Sequence, residues 1–307
     1  MMKIGILGAG AMGLLYGAYL SQENEVTLIC TNQEKVDKIN QEGLFVTEKD
    51  GTVGTYNPKA ILGGSKLEDL DLMILFVKAT ASEIALQENL SSISEKTILL
   101  SLQNGSGHEL LLEKFVPQKQ IAIGISQEGS FLESSNKVRH TGSGSTLFGK
   151  PYDSCESLDN FAKTCEKCGF KSRNTNEIKS FIWEKLIINA SSSVMSAVLS
   201  VEQGYCYQNQ YAWDIVQKLV EEMLAVAKAD GIVLDLESQV KRVETLLIEN
   251  PEGVPSICVD LRHGKKTEVK TISGSVIEAG KRLGIPTPTH QIIVSLVLAM
   301  EGRTSEQ

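Results

Sequence analysis

Residues 3–13 read KIGILGAGAMG, and this segment carries the main signals for the fold of the N-terminal half of the chain. Lys3–Leu7 is a short apolar run that ends in glycines, which is typical of a buried parallel strand. Met12–Ser21 then carries apolar residues at helical spacing. Between them Gly8, Gly10 and Gly13 form the pattern G-x-G-x-x-G, so the sequence predicts a strand, a tight turn and a helix in direct succession.

This glycine turn has the residue types that a dinucleotide pyrophosphate requires. The first glycine permits the tight turn, the second lets the backbone approach the phosphates, and the third lets the helix pack closely on the strand. The helix N-terminus adds N–H donors and a partial positive charge. We therefore predict a dinucleotide site lined by Gly8, Ala9, Gly10, Ala11, Met12 and Gly13. Gly8→Val is expected to block binding by filling the approach of the pyrophosphate; a purely structural turn is the alternative.

Outward from the glycine turn, strand and helix patterns alternate as far as residue 175. Further strands are predicted at Glu25–Cys30, Asp71–Val77, Thr97–Leu102, Gln120–Ile125 and Ser145–Phe148, with helices at Gln33–Glu42 and near Ala81–Ile93. Alternation of this kind builds a doubly wound, mainly parallel sheet. Beyond Glu177 the apolar period becomes helical, at Ile178–Leu199, Tyr211–Asp230, Leu236–Leu247, Thr267–Leu283 and His290–Met300. The sequence thus predicts an α/β dinucleotide-binding domain over residues 1–175 and an all-helical substrate-binding domain over residues 176–307.

The composition narrows the function classes. The 307 residues suit two domains, and the net charge of −8 argues against nucleic acid as a partner. No apolar run approaches the roughly 20 residues needed to span a bilayer, and the N-terminus lacks the cleavage region of a signal peptide. A chain with this much core does not need a disulfide framework for its six cysteines. We therefore expect a cytoplasmic protein with a small-molecule substrate and no membrane partner; the oligomeric state stays open, with a homodimer as one option.

The cysteines and histidines give no metal-binding pattern. Cys165 and Cys168 form the one close cysteine pair, and three-residue spacing on an amphipathic stretch repeats one helix face. Packing is the favoured interpretation, with metal or redox work as the alternative. The four histidines have no partner at ligand spacing, so surface or cap roles are expected for them.

The segment that should recognise the adenosine ribose reads Ile29-Cys-Thr-Asn-Gln-Glu-Lys35. No Asp or Glu ends the strand to bind the ribose hydroxyls, and no Arg is present to receive a 2′-phosphate. Thr31, Asn32 and Lys35 either serve a phosphate or are ordinary cap and surface residues. The choice between NADP and NAD stays open at this point.

Two polar residues follow buried strands. Lys78 ends the run LMILFVK, and Asn104 ends the run ILLSLQN. Ligands of open α/β sheets bind beyond the carboxyl ends of the strands, so a role in the site is favoured for both residues. The alternative is an extended surface lysine and a turn-forming Asn-Gly pair.

A lysine with catalytic potential lies in the predicted helix FIWEKLIINA. Lys185, Asn189 and Ser193 follow one another at four-residue steps and therefore share a face among apolar residues. A lysine desolvated there would have a lowered pKa and could act as an acid near neutrality. The alternative is a solvated ion pair with Glu184.

Taken together, these motifs resemble the ketopantoate reductase (2-dehydropantoate 2-reductase) family. The resemblance covers nearly the whole chain: GILGAGAMG, Lys78, the QNG at 103–105, WEKLIINA, Pro255–Asp260, Thr267-Glu268 and the closing GIPTP. It implies a Rossmann-type domain, an all-helical substrate domain and catalysis in the cleft between them.

The resemblance also implies roles for individual residues. It identifies Lys185 as the proton donor and Glu268 as a catalytic and cofactor-side glutamate. Asn189 and Ser256 match substrate-binding positions. Ser193, on the same helix face as Asn189, is a further candidate substrate-binding residue. Lys78 and Asn104 match positions near the nicotinamide ribose and the substrate, while Thr31 and Asn32 are the candidates beside the adenosine ribose.

The chain departs from the family pattern at four positions. Ser193 and Gln203 stand where asparagines are usual, Gly253 replaces an asparagine often found before the serine, and Thr31 replaces a common arginine. The resemblance implies that several of these positions would contact the hydroxyl end of ketopantoate or the 2′-phosphate of NADPH.

Three functions remain open from the sequence. The favoured one is reduction of a 2-oxo acid, with 2-dehydropantoate as first choice and NADPH as cofactor, or NADH in its place. The second is an NAD-dependent D-2-hydroxyacid dehydrogenase of the mandelate type. The third is a nucleotide-binding regulatory module without turnover, against which the intact Lys185 and Glu268 argue.

Overall fold

The computed structural model describes residues 1–152 and 156–303, so Cys155 lies outside the described residues. The chain divides into two compact units. The first comprises residues 1–103 and 108–178, and the second comprises residues 104–107 together with the chain from Lys179 onward. The four-residue loop 104–107 thus belongs to the helical unit, although the chain on both sides of it belongs to the first unit.

The first unit is built on a mainly parallel eight-stranded sheet. Its strands are β1 Lys3–Leu7, β2 Glu25–Cys30, β5 Lys59–Leu62, β6 Leu72–Leu75, β7 Ile98–Ser101, β8 Ile121–Ser126, β11 Ser145–Gly149 and β12 Lys171–Asn174. Their order is β12-β11-β8-β7-β6-β1-β2-β5; β11 pairs with β8 in antiparallel fashion, and the other neighbouring pairs of these described strands are parallel. Leu7 pairs with Ile29 on one side and with Leu75 on the other, so the carboxyl ends of β2, β1 and β6 lie level.

A second, four-stranded sheet was not predicted. It runs β4-β3-β10-β9, from β3 Leu44–Thr47, β4 Val53–Tyr56, β9 Gly129–Ser134 and β10 Lys137–Gly142. Leu44, Val46 and Val138 are fully buried, while the residues between them face outward. Strands this short and polar carry too few apolar positions for their alternation to stand out in the sequence.

The described part of the first unit also contains the α-helices α1 Ala11–Leu20, α2 Gln33–Glu42, α3 Ser82–Glu88, α4 His108–Leu112 and α5 Glu156–Lys167. Helix α1 is buried over nearly its whole length because both sheets contact it. The predicted α/β class is confirmed, with β1, β2 and α2 at the expected bounds. The helix expected near Ala81–Ile93 is shorter, since α3 ends at Glu88 and a separate 3-10 turn follows.

The second unit is helical, as predicted. Its helices are α6 Ile178–Ile188, α7 Val194–Leu199, α8 Tyr205–Gln208, α9 Gln210–Ala229, α10 Leu236–Glu249, α11 Ser256–Arg262, α12 Ser273–Leu283 and α13 Pro288–Arg303. Its core is separate from that of the first unit and includes Trp183, Leu219, Met223 and Val276. Among the described residues, no helix has both the length and the apolar composition that crossing a bilayer requires.

Two helix predictions in this unit were wrong. The pattern Ile178–Leu199 is interrupted by one π-helical turn, Asn189–Ser193. Ser191 and Ser192 donate their hydroxyls to the carbonyls of Ile187 and Ile188, at 2.5 Å and 3.3 Å, and such bonds compete with the α-helical ladder. The helix expected from Thr267 begins only at Ser273.

Candidate functional site

The glycine turn has the geometry that its three glycines predict. Gly8 has a φ of +109°, and a Cβ there would lie 2.5 Å from the backbone nitrogen of Val77. A Cβ on Gly13 would lie 1.9 Å from the carbonyl oxygen of Gly8. Around a Cβ on Gly10, by contrast, the described chain has no heavy atom within 4 Å. Gly10 therefore leaves the open approach for a pyrophosphate, and the Gly8→Val expectation needs correction because that side chain would collide with the protein itself.

Helix α1 begins directly at this opening. Its N-cap is Gly10, which has no side chain to bond the first-turn N–H groups within the described structure. Such N–H groups and the helix dipole favour an anion. The turn and the start of α1 thus fit the diphosphate of a dinucleotide.

The segment after β2 is held against the glycine turn. Asn32 is the N-cap of α2, and its side chain accepts a hydrogen bond of 3.2 Å from the Lys35 backbone N–H. The Lys35 Nζ donates to the carbonyl oxygen of Ala9 at 2.6 Å, whereas Thr31 is exposed. Asn32 therefore caps α2, which was one of the two roles predicted for it, while the Lys35 side chain contacts the glycine turn.

The ends of β6 and β7 are tied together by a residue whose role the sequence did not indicate. The Gln103 amide donates to the carbonyl oxygen of Val77 at 2.6 Å and to Ser82 Oγ at 2.7 Å. It also accepts from Ser101 Oγ at 3.0 Å. Lys78, one residue beyond Val77, is exposed. Gln103 thus fixes the point at which the chain leaves the sheet.

In the second unit, three of the predicted site residues form a hydrogen-bonded chain. The Lys185 Nζ donates to Asn104 Oδ1 at 3.0 Å, and the Asn104 amide donates to Glu268 Oε2 at 2.9 Å. Lys185 lies near the end of α6, and Glu268 lies in the turn that precedes α12. The amide of Asn104 therefore joins the ammonium group and the carboxylate.

This environment changes the acidity of the lysine. Burial lowers the pKa of Lys185 from 10.5 to about 8, and the nearby Glu268 carboxylate partly opposes that shift. The neighbouring residues Trp183, Leu186 and Ile187 are buried. Glu184 does not pair with Lys185 but with Arg242, at 2.7 Å, so the solvated ion pair considered for Lys185 is wrong. A lysine with a pKa near 8 can both hold and release a proton around neutral pH.

The remaining predicted substrate residues are more dispersed. Asn189 begins the π-helical turn and is half-buried; Ser193 ends it, and its Oγ accepts from the Gln203 amide at 3.4 Å. A Cβ on Gly253 would lie 2.7 Å from Gln203 Oε1, so two of the departures from the family pattern are neighbours. Ser256 is exposed at the first position of α11.

One further contact of the loop 104–107 was missed. The backbone N–H and the hydroxyl of Ser106 each lie 3.3 Å from Ser275 Oγ, on the first turn of α12. Together with Asn104–Glu268, this contact holds the loop against the turn and the helix that carry Glu268. Two serines separated by 169 positions give no signal that a single sequence could reveal.

Two histidine expectations were wrong. His140 is 7% exposed, and its ring nitrogens bond Glu48 at 3.0 Å and Glu128 at 2.8 Å. His290 is fully buried and contacts the carbonyl oxygen of Leu219 at 3.1 Å. Cys165 and Cys168 are buried, and burial raises the pKa of both thiols, which fits a packing role.

Comparisons with known proteins cover both units. The family model described as ketopantoate reductase PanE/ApbA matches residues 4–152, and its C-terminal counterpart matches residues 177–301. A 2-dehydropantoate 2-reductase of Lactococcus lactis is 32% identical over 306 residues, which are 98% of each chain. One from Pyrococcus horikoshii is 30% identical over 303 residues, again 98% of each chain.

Solved structures with the same fold include enzymes with two different names. A D-mandelate dehydrogenase in complex with NADH and anilino(oxo)acetate has a TM-score of 0.89 and 32% identity, covering 99% of this chain and 100% of its own. A PanE/ApbA family ketopantoate reductase from Ralstonia eutropha has a TM-score of 0.88 and 25% identity, with the same coverage.

Proposed function

The chain belongs to the ketopantoate reductase family, and from this premise we propose that it reduces 2-dehydropantoate to D-pantoate with NADPH. It is an NAD(P)-dependent oxidoreductase that acts on a 2-oxo acid. The observation that carries the proposal is the hydrogen-bonded chain Lys185–Asn104–Glu268, which presents a proton donor with a pKa of about 8.

Lys185 is the proposed proton donor. Reduction of a carbonyl places negative charge on its oxygen, and a charged donor aimed at that oxygen stabilises the transition state and then supplies the proton. Asn104 holds the ammonium group by its side-chain oxygen, and Glu268 holds the Asn104 amide. Glu268 also keeps the Lys185 pKa from falling further, so a larger fraction of the lysine is protonated at neutral pH.

The cofactor supplies the hydride when it is bound. Residues 8–13 are proposed to hold its diphosphate, because Gly10 leaves the approach open and α1 begins there. Its ribose groups are proposed to contact Thr31, Asn32 and Lys78. The cofactor is also proposed to contact Asn104 and Glu268, the two residues that are hydrogen-bonded in a chain with Lys185. We propose NADPH over NADH because no carboxylate ends β2 to bind a free ribose 2′-hydroxyl.

Asn189, Ser193 and Ser256 are proposed to hold the substrate. Ser256, exposed at the first position of α11, offers a hydroxyl to the substrate carboxylate. Asn189 lies one helical turn after Lys185 and offers both a donor and an acceptor beside the reacting carbonyl.

A mandelate-type D-2-hydroxyacid dehydrogenase is the second candidate. It is favoured by the likeness to D-mandelate dehydrogenase, at 32% identity, and by Ser193, Gln203 and Gly253 in place of the family's usual asparagines. The two candidates share the proton donor and differ in the side chain of the 2-oxo acid.

A steady-state comparison tests both candidates. Reduction of 2-dehydropantoate, phenylglyoxylate and a branched aliphatic 2-oxo acid is measured with NADPH and with NADH. The proposal expects 2-dehydropantoate with NADPH to have the highest kcat/KM. A higher kcat/KM for phenylglyoxylate would establish the second candidate, and no turnover of any 2-oxo acid would contradict both.

A further inference from the structure

Lys35 lies just after β2, at the place where dinucleotide-binding sheets of this kind bind the adenosine ribose. β1 and β2 are paired neighbours, and the Gly8 backbone N–H donates to the carbonyl oxygen of Ile29 at 3.2 Å. The glycine turn and the residues after β2 are therefore adjacent. In folds of this kind the end of the second strand carries either an acid for the ribose 2′-hydroxyl or a cation for a 2′-phosphate.

The end of β2 carries no negative charge. Its last residue is Cys30, which is 2% exposed, and burial raises the pKa of this thiol to about 11. The thiol is therefore neutral at physiological pH and cannot act as the acceptor that a free ribose hydroxyl pair needs. Between Ile29 and Gln33 the sequence contains no acidic residue.

The Lys35 side chain supplies the positive charge at this place. It leaves the first turn of α2, runs back toward β1 and donates from Nζ to the carbonyl oxygen of Ala9 at 2.6 Å. Ala9 follows Gly8, whose backbone N–H bonds the carbonyl oxygen of Ile29, so the ammonium group lies near the end of β2. An ammonium has three N–H donors, so a lysine anchored through one can still donate to a phosphate oxygen.

The anchor also fixes the position of the charge before a ligand binds. A flexible surface lysine loses side-chain entropy when it is ordered on a phosphate, and a lysine already held by Ala9 loses less. Partial burial disfavours the charged ammonium, as the lowered pKa of Lys35 indicates, and a phosphate dianion would relieve that cost. The second effect distinguishes the two groups, because a phosphate dianion stabilises the partly buried ammonium far more than a neutral ribose hydroxyl does.

We propose that Lys35, anchored on the carbonyl oxygen of Ala9, is the residue with which this chain recognises the 2′-phosphate of NADPH and discriminates against NADH. This inference rests on the proposed function, since it names the residue that selects the cofactor of the same site. It assigns to the first turn of α2 the phosphate contact that the family's arginine, replaced here by Thr31, would otherwise make.

The test is binding without substrate, by isothermal titration calorimetry on the full chain. Dissociation constants are measured for NADPH, NADH, 2′,5′-ADP and ADP. Lys35→Met keeps the length of the side chain and removes the charge; Lys35→Arg keeps the charge. Lys38→Met, one turn later on α2, is the matched control.

A hydrogen bond to a charged group contributes roughly 1.5–3 kcal/mol, which corresponds to about tenfold to a hundredfold in affinity. Lys35→Met should therefore weaken NADPH and 2′,5′-ADP at least about tenfold and leave NADH and ADP within about twofold. Lys35→Arg should retain most of the NADPH preference, and Lys38→Met should match the wild type.

Two results would overturn the proposal. If Lys35→Met weakens NADPH and NADH equally, Lys35 only braces the glycine turn. If the wild type binds NADH as tightly as NADPH, the chain has no 2′-phosphate recognition to assign. These outcomes are separate from failure of the proposed function, in which NADPH binds with the stated discrimination but no 2-oxo acid is reduced.

Discussion

At the residue scale, the chemistry of Lys185 depends on its burial and on the carboxylate that lies beyond Asn104. Its charge matters most when the carbonyl oxygen becomes negative, so removing it should lower kcat more than it weakens ground-state binding. A general acid typically contributes roughly 10²–10⁴-fold, so we expect Lys185→Ala to lose at least about a hundredfold in kcat on the best 2-oxo acid.

Two variants control this prediction. Lys185→Arg should recover only part of the rate, because a guanidinium donates from another position and hardly releases its proton. Glu184→Gln, next in the chain but paired with Arg242, should leave kcat within about threefold. A folded Lys185→Ala enzyme with near-normal kcat would eliminate the proposed proton donor.

The acidity of Lys185 gives a second prediction at this scale. Reduction needs the protonated amine, so kcat/KM for the 2-oxo acid should fall as the pH rises through about 8. Glu268 raises the Lys185 pKa, so Glu268→Gln should move this fall to lower pH while the amide can still accept from Asn104. An unchanged pH profile in Glu268→Gln would show that the carboxylate does not set the lysine's acidity.

At the element scale, the glycine turn separates binding from folding. Gly10→Val places its side chain in open space and should abolish NAD(P)H binding, measured by tryptophan fluorescence, with a Tm close to that of the wild type. Gly13→Val would force a Cβ to within 1.9 Å of the Gly8 carbonyl oxygen and should lower the Tm or prevent folding. Tight dinucleotide binding by Gly10→Val would place the diphosphate elsewhere.

The contact between α1 and the four-stranded sheet contains a titrating group. His140, on β10, lies between Glu48 and Glu128, and Tyr19 of α1 bonds both Glu48 and the His140 ring. Burial alone would lower the His140 pKa, but the hydrogen bonds to Glu128 and Glu48 outweigh it and raise the pKa above 6.5. The folded protein therefore holds this proton more tightly than the unfolded chain does.

The stabilisation from His140 is complete below pH 6.5 and is lost as the pH rises through the higher pKa of the folded state. We expect the free energy of unfolding of the wild type to fall over this range, and that of His140→Gln to be lower and flatter. The exposed His263→Gln is the control and should reproduce the slope of the wild type. Identical slopes in wild type and His140→Gln would remove His140 from this linkage.

At the scale of the whole molecule, the buried Lys185 should lower the free energy of unfolding. The Lys185 pKa is about 8 in the folded chain against 10.5 for an ordinary lysine, so the unfolded chain binds its proton more tightly between these values. Lys185→Met should therefore gain Tm relative to the wild type at pH 7, and the gain should shrink as the pH approaches 10.5. A difference that does not depend on pH would contradict a lowered lysine pKa.

The sequence predicted the strands and helices that have a local apolar pattern, and it missed the elements whose formation depends on contacts with distant residues. β1, β2 and α2 were found at their bounds because their apolar patterns and the glycine stops are local signals. β3, β4, β9 and β10 were missed because they are short and largely polar, and because the contacts that join the two strand pairs and cover them, β3 with β10 and α1 with all four strands, come from distant parts of the sequence. The π-helical turn was missed because serines in an apolar helix do not reveal which carbonyl they will bond.

In the candidate site, too, the sequence indicated single residues but not the contacts between distant ones. Lys185, Asn104 and Glu268 were each singled out, but their connection through the Asn104 amide spans 81 and 164 positions and became visible only in the structure. Lys35 was left between a phosphate role and a surface role because nothing in the sequence shows that its side chain returns to Ala9.

The membership of residues 104–107 in the helical unit has a consequence for engineering by recombination. A chimera that joins the N-terminal half of this chain to the C-terminal half of a relative would pair this chain's Asn104 with a lysine and a glutamate that come from another protein, and so replace two partners of the Lys185–Asn104–Glu268 hydrogen bonds. Such hybrids should exchange the tetrapeptide 104–107 together with the segment from Lys179 onward, although it is encoded some seventy codons upstream. The unit that holds Lys185, Asn104 and Glu268 together is therefore discontinuous in the gene, and a single crossover point cannot deliver it intact.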